Sequence, residues 1–220
     1  MNLSQWEEKF ERKISEVASS DDPAHDLLHF HRVVSLAKKL CRLESGREEI
    51  VIPAAWLHDL VIVPKDSPLR SRASRLSAEK AIEFLTSIEY PRQCLDDIAH
   101  AIEGHSFSAN IGVRTIEAKI VQDADRLDGL GAIGIARCFA TAGLLKRPFY
   151  SPEDPFCELR PADDARYTID HFFKKLFKTA ETLKTESGRQ EGYRRVQVMR
   201  DYLSELSLDI LPQSSEGQNV

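Results

Sequence analysis

The 220-residue sequence has no run of eighteen apolar residues, and its first twenty residues mix charged and apolar side chains instead of forming the apolar stretch of a secretory leader. Neither a bilayer-spanning helix nor a signal peptide is expected. Cysteine is sparse: Cys41, Cys94, Cys138 and Cys157 are far apart and form no CxxC pair, so they read as small apolar side chains in a reducing compartment. The expected setting is therefore cytoplasmic. A basic excess is missing as well. Thirty Lys and Arg against 35 Asp and Glu give a formal charge of −5 and a pI near 5.8, which disfavours a nucleic-acid polymer or an anionic membrane as partner. No strand-period run or hairpin turn stands out, and no glycine-rich loop follows a strand, so P-loop and Rossmann architectures are excluded.

What remains is a chain of helical periods. At 42% hydrophobic and 30% charged, the composition is that of a globular domain with one core. Leu3, Trp6, Phe10, Ile14 and Val17 recur at helical spacing, giving a packing helix in residues 1–20. Asp21-Asp22-Pro23 opens a second helix that runs to about Leu43. Ser45-x-x-Glu48 has the form of a capping box for the helix ending in His58-Asp59, in which Pro53 marks either a kink or a late start. Val61 to Arg75 reads as a surface loop, followed by helices at Ser74–Ile88 and from Pro91 to Glu103, and by another after Thr115. Leu127 to Leu145 is crowded with Gly and Ala, as in a buried central helix that needs close approach. After a proline-rich loop, two helices close the chain, with stripes at Ile169–Ala180 and at Tyr193, Val196, Met199, Leu203 and Leu206. The expected fold is all-α, a single-domain bundle of roughly eight to ten helices spanning 21–210. Its chemistry would lie in 25–130, its C-terminal helices in 163–210, and a disordered tail in 211–220.

The apolar run Ala55-Trp56-Leu57-His58-Asp59-Leu60-Val61 carries an imidazole and a carboxylate side by side. Neither enters a core without a hydrogen bond or a cation. His29 on the preceding helix and Asp125 downstream complete a candidate set of two imidazoles and two carboxylates, which balances a divalent cation and leaves coordination sites for water and substrate. An N2O2 set of this kind accepts Mn, Mg, Co, Ni, Fe or Zn, and sequence does not choose among them.

Three segments, in order, resemble the HD-domain metal-dependent phosphohydrolases, and in particular their bacterial YedJ-like branch. They are His25-Asp26-x-x-His29-x-x-Arg32-Val33, then Ala55-x-x-His58-Asp59, then Val121-Gln122-Asp123-Ala124-Asp125-Arg126-Leu127-Asp128 with Gly129-Leu130-Gly131 behind it and His105-Ser106-Phe107-Ser108 before it. The resemblance spans residues 20 to 210 and implies an HD-type helical bundle. It maps one divalent metal onto His29, His58, Asp59 and Asp125, with Asp123 as rival for the last place. The dipeptide His25-Asp26 opens a helix, whereas the family's paired ligands close an apolar one, so His58-Asp59 is the signature pair.

The resemblance implies hydrolysis of a phosphoester or phosphoanhydride, with Asp59, His105 and Asp26 as catalytic candidates. His25, Arg32, Lys65, Arg70, Arg72 and His100 are the candidates for substrate contact. Some nucleotidases of this family carry a glutamate three positions beyond the HD pair, where this chain has Ile62, so that variant of the mechanism does not transfer simply. The favoured substrate is a small nucleotide, with a nucleoside triphosphate cut to monophosphate and pyrophosphate as its sharpest form. A cyclic nucleotide or sugar phosphate is the runner-up. A homodimer is compatible with the sequence. The competing class is a non-catalytic HD module that senses or binds a nucleotide or metal.

Overall fold

Helix α3 (Glu48–Leu57) is the centre of the molecule: every residue from Ile50 to Leu57 is buried. Around it in the computed structural model pack α1 (Leu3–Ser15), α2 (Leu27–Leu43), α4 (Ala73–Ser87), α5 (Leu95–His105) and α6 (Ile116–Asp128). The chain then continues through α7 (Gly131–Leu144), a long ordered loop, a π-turn at Phe172–Leu176 leading into α8 (Phe177–Glu181), and α9 (Glu186–Ile210). The structure describes residues 3–17, 26–63, 67–106, 109 and 111–210. The helix start at Asp21–Pro23, His25, Lys65 and the tail from Leu211 lie outside them. Among the described residues there are helices and no strands, as the sequence leads one to expect. No single helix among them is long and apolar enough to cross a membrane.

Helix α3 is continuous through Pro53, which resolves the kink-or-late-start ambiguity in favour of an interior proline. Proline has no N–H, so the carbonyl four residues earlier, that of Glu49, loses its helical donor. The Tyr90 hydroxyl supplies one at 2.7 Å. The capping box is not formed. Ser45 instead takes a left-handed φ of 56° that ends α2, where the Gly46 amide donates to the Cys41 carbonyl at 2.9 Å. Arg47 occupies the N-cap of α3 without a side-chain cap bond, and its backbone N–H and Nε both donate to Glu117 Oε1.

The first stripe behaves as its period demands, with Phe10 and Ile14 fully buried and Trp6 edge-on to Tyr90 at 5.1 Å. Helix α7 does not. Only Gly131, Gly134 and Ala142 in it are buried, and Ile133 and Leu144 are exposed, so it is a peripheral helix and not the central one. Its glycines serve a corner. Gly131 has a φ of +70°, and a Cβ on Gly134 would lie 2.3 Å from the Gly129 carbonyl oxygen. Tyr193, counted on the last apolar stripe, is exposed, while Met199 and Leu203 of the same helix enter the core.

Candidate metal centre

Four helix ends bring the polar cluster together: the start of α2 and the last turns of α3, α5 and α6. Asp26 is the N-cap of α2, its Oδ1 accepting the His29 N–H at 2.8 Å, which sets the start of the helix and with it the rotation that turns His29 inward. His58 follows the last turn of α3, and its Nδ1–H donates to the Ala55 carbonyl three residues back at 2.9 Å. His105 repeats the arrangement at the end of α5, with Nδ1–H donating to the Ile102 carbonyl at 2.6 Å. In both cases the imidazole donates to a carbonyl in the last turn of its own helix. The end of α5 is further held by Gln122, whose Nε2 donates to the Gly104 carbonyl at 2.6 Å.

These bonds decide the tautomers. With Nδ1 protonated and donating, a neutral imidazole carries its lone pair on Nε2. The Nε2 atoms of His29 and His58 face each other at 3.3 Å, and Asp125 Oδ1 lies 3.7 and 3.8 Å from them. Asp59 Oδ2 is 3.6 Å from His58 Nε2, and Asp59 Oδ1 is 3.3 Å from His105 Nε2. Ligand atoms of His29, His58 and Asp125 all fall within 4.8 Å of one another, and so do those of His58, Asp59 and His105. Two donors each about 2.1 Å from one ion stand roughly 3.0–3.4 Å apart, so this spacing fits a divalent cation. Opposed lone pairs repel without a cation between them, and the donor set of imidazole and carboxylate suits Mn, Fe, Co, Ni or Zn better than calcium. The His/Asp cluster can thus hold a metal ion.

Burial reinforces this. His58 is fully enclosed, which pushes its pKa down to about 4 and keeps it neutral, the form that ligates. Burial pulls His105 the same way, but the hydrogen bond and charge of Asp59 more than offset it and leave His105 at about 9. Among the protein groups alone, one imidazole of the cluster is basic and the other is not.

Behind His29 sits a carboxylate that sequence reading left unassigned. His29 Nδ1 donates to Asp128 Oδ2 at 2.8 Å, and Asp128 also accepts Arg32 Nε at 2.6 Å and Arg32 Nη2 at 3.1 Å. Arg137 of α7 donates through Nη1 to the same Oδ2 at 2.9 Å. Desolvation opposes ionisation of this buried carboxyl, yet the His29 and Arg32 bonds hold it well below the usual carboxylate range. A signal for Asp128 was available: it stands three residues after Asp125, so the two share a helix face. Nothing local pointed to Arg137.

Asp123 lies two residues before Asp125, a rotation of about 200° on an α-helix, and so faces away. It is fully buried and accepts from the backbone N–H groups of Lys184 and Thr185 and from the Thr185 hydroxyl. Its carboxylate ties α6 to the start of α9 and does not join the cluster. Of the other sequence candidates, Arg70 donates to the Val63 carbonyl at 2.8 Å within its own loop, and Arg72 lies exposed in the same short turn. His100 Nε2 accepts the Arg114 N–H at 3.0 Å on the outer part of α5. Among the described residues no hydrogen bond or ion pair joins any of the three to the cluster. His25 and Lys65 lie outside the described residues.

Residues 27–130, which contain the whole His/Asp cluster, match the HD domain family. Over 94% of its length the chain is 31% identical to an HD-superfamily hydrolase of Bacillus thuringiensis, covering 99% of that structure with a TM-score of 0.72. The chain belongs to the HD superfamily. It is also similar to the uncharacterized protein YpgQ of Bacillus subtilis, at 29% identity over 90% of both chains. The crystal structure of YpgQ in complex with ADP matches at 30% identity, 94% of this chain and 98% of that one, with a TM-score of 0.70. As an HD-superfamily member this chain falls among relatives described as hydrolases.

Proposed function

We propose that the chain is a divalent-metal-dependent phosphohydrolase acting on a small nucleotide, at a phosphoester or phosphoanhydride bond, with a nucleoside triphosphate cut to monophosphate and pyrophosphate as the favoured reaction. The observation that carries this reading is the pair of Nδ1-anchored imidazoles whose Nε2 atoms meet at 3.3 Å beside Asp125 and Asp59. The ADP bound to the related YpgQ supports a nucleotide as ligand.

In this reading His29, His58, Asp59 and Asp125 hold the metal. A bound divalent ion supplies Lewis acidity toward a phosphoryl oxygen and a nucleophile at neutral pH. Asp128 keeps His29 in its ligating tautomer and orientation. Ala55 does the same for His58 through its carbonyl. His105, whose Nε2 lies 3.3 Å from Asp59 Oδ1, is the group placed to pass a proton to a leaving oxygen. Arg32, locked onto Asp128, offers a guanidinium to the phosphate.

The decisive assay uses protein stripped of metal and reloaded with manganese, cobalt, nickel or magnesium. It is offered a panel of nucleoside mono-, di- and triphosphates, beside His58→Ala and Asp125→Ala. Release of phosphate or pyrophosphate by wild type, and its loss in both variants, is expected. No release with any metal, or variants equal to wild type, overturns the reading.

A further inference from the structure

We propose that Gln122 is a positioning residue: its side-chain amide holds the last turn of α5 and thereby keeps the His105 imidazole against Asp59. This rests on the phosphohydrolase reading, in which His105 passes a proton to the leaving oxygen, and it names the group on which that transfer depends.

His105 is the last residue of α5, and its ring is oriented by an Nδ1–H bond to the Ile102 carbonyl in the same final turn. Helix ends fray, so a ring tied to its own last turn is only as fixed as that turn. His29 differs, because Asp128 holds its Nδ1 from another helix. For His105 the outside hold is on the backbone. Gln122 of α6 donates through Nε2 to the carbonyl of Gly104, the residue before His105, at 2.6 Å. Gly104 is also hemmed in by Val113, whose Cγ1 would lie 2.6 Å from a Cβ at that position.

The amide is not there for stability. Only its NH2 end can meet a carbonyl, so the bond to Gly104 sets its orientation and leaves Oε1 buried with no donor among the described residues. Gln122 is 3% exposed, and an acceptor enclosed in this way without a partner destabilises by as much as one hydrogen bond stabilises. An apolar methionine of similar length would avoid that cost. What the amide supplies is geometry. Gln122 stands three residues before Asp125, one turn back on α6, so a single turn of helix sets both the cluster carboxylate and the end of α5. His105 Nε2 lies 3.3 Å from Asp59 Oδ1, a contact that a slip of about 1 Å at that end would break.

The test uses wild type, Gln122→Met, His105→Ala and the double variant, each loaded with manganese and assayed on ATP. Gln122→Met is expected to lower kcat about tenfold or more, with KM and manganese affinity within about twofold of wild type. His105→Ala should lower kcat about a hundredfold. In that background Gln122→Met should do nothing further, because the residue it acts through is gone. Exchange of the His105 Nδ1–H with water, followed by NMR in magnesium-loaded protein with isotope-labelled histidine, should quicken about tenfold in Gln122→Met while that of His58 stays unchanged. Equal losses in the two backgrounds, a fall in manganese affinity, or an unchanged His105 exchange rate overturns the inference while leaving the function standing. Wild-type activity in His105→Ala overturns the proton transfer and the inference with it. If Gln122→Met does not fold, Gln122→Asn decides, since its amide is one methylene short of Gly104: wild-type kcat and exchange there overturn the inference. If wild type leaves ATP intact, the nucleoside triphosphate reading falls, and the exchange rates alone decide whether Gln122 holds His105.

Discussion

The two faces of α6 hold carboxylates in opposite surroundings. Toward α9, Asp123 is fully buried and accepts two backbone N–H groups and a hydroxyl from Lys184 and Thr185. Toward α2 and α3, the Asp125 side chain is 27% exposed and stands within 4 Å of two imidazole nitrogens. Hydrogen-bond donors around Asp123 saturate it, and Gly188 lies so close that a Cβ there would meet its Oδ2 at 2.4 Å. Around Asp125 the nearest groups are lone pairs. A carboxylate surrounded by donors is a structural joint, whereas a carboxylate that meets other acceptors calls for a cation. The same residue type in one helix is thus sorted by what faces it and not by its own burial.

This comparison can be broken by exchanging the consequences. The largest expected effect is from Asp125→Ala: hydrolysis falls by about a thousandfold or more, equivalent to about 4 kcal/mol, and manganese binding is lost, while the melting temperature without metal changes little. A variant that keeps its metal would place Asp125 on the structural side. Next comes Asp123→Ala, which strands the Lys184 and Thr185 amides and should cost about 3 kcal/mol of stability, or a melting temperature lower by about 6–12 °C. Its manganese affinity per folded molecule should equal that of wild type, as calorimetry on the folded fraction would show. Metal removal gives the third contrast. Manganese at a hundred times its dissociation constant should stabilise wild type by about 2.7 kcal/mol in thermal melts, and chelator should reverse it. Asp123→Ala should retain that increment and Asp125→Ala should lack it. The smallest effect tests the support of α3 rather than either face. Tyr90→Phe removes the donor to the Glu49 carbonyl that Pro53 leaves unpaired, and should cost about 1 kcal/mol in denaturant melts with no change in metal affinity.

Much of the site was legible because its parts are local. His58 and Asp59 are adjacent, and the apolar run before them announced a buried helix. The three-residue step from Asp125 to Asp128 placed both on one face, whereas Asp123 remained a rival for the last ligand place in the sequence because the Lys184 and Thr185 groups that enclose it come from another element. The proline and cap of α3 were harder, since Tyr90 and Glu117, the groups that stabilise them, come from other elements. Helix α7 was misread because small apolar residues suit either a buried helix or a tight corner, and composition carries no information about what covers a face.

By itself, therefore, the sequence determined the helices, the residues that share a face within each, and the imidazole–carboxylate pair at the end of α3. Tertiary structure alone decided that Asp123 would be enclosed by the start of α9, that α7 would lie at the periphery, and that Arg32 would meet Asp128, 96 residues away, on the carboxylate whose Oδ2 is also reached by His29 and Arg137. The physical reason is that the helical repeat fixes geometry only over a few turns. Which helix faces which is set by burying the apolar stripes of all of them at once.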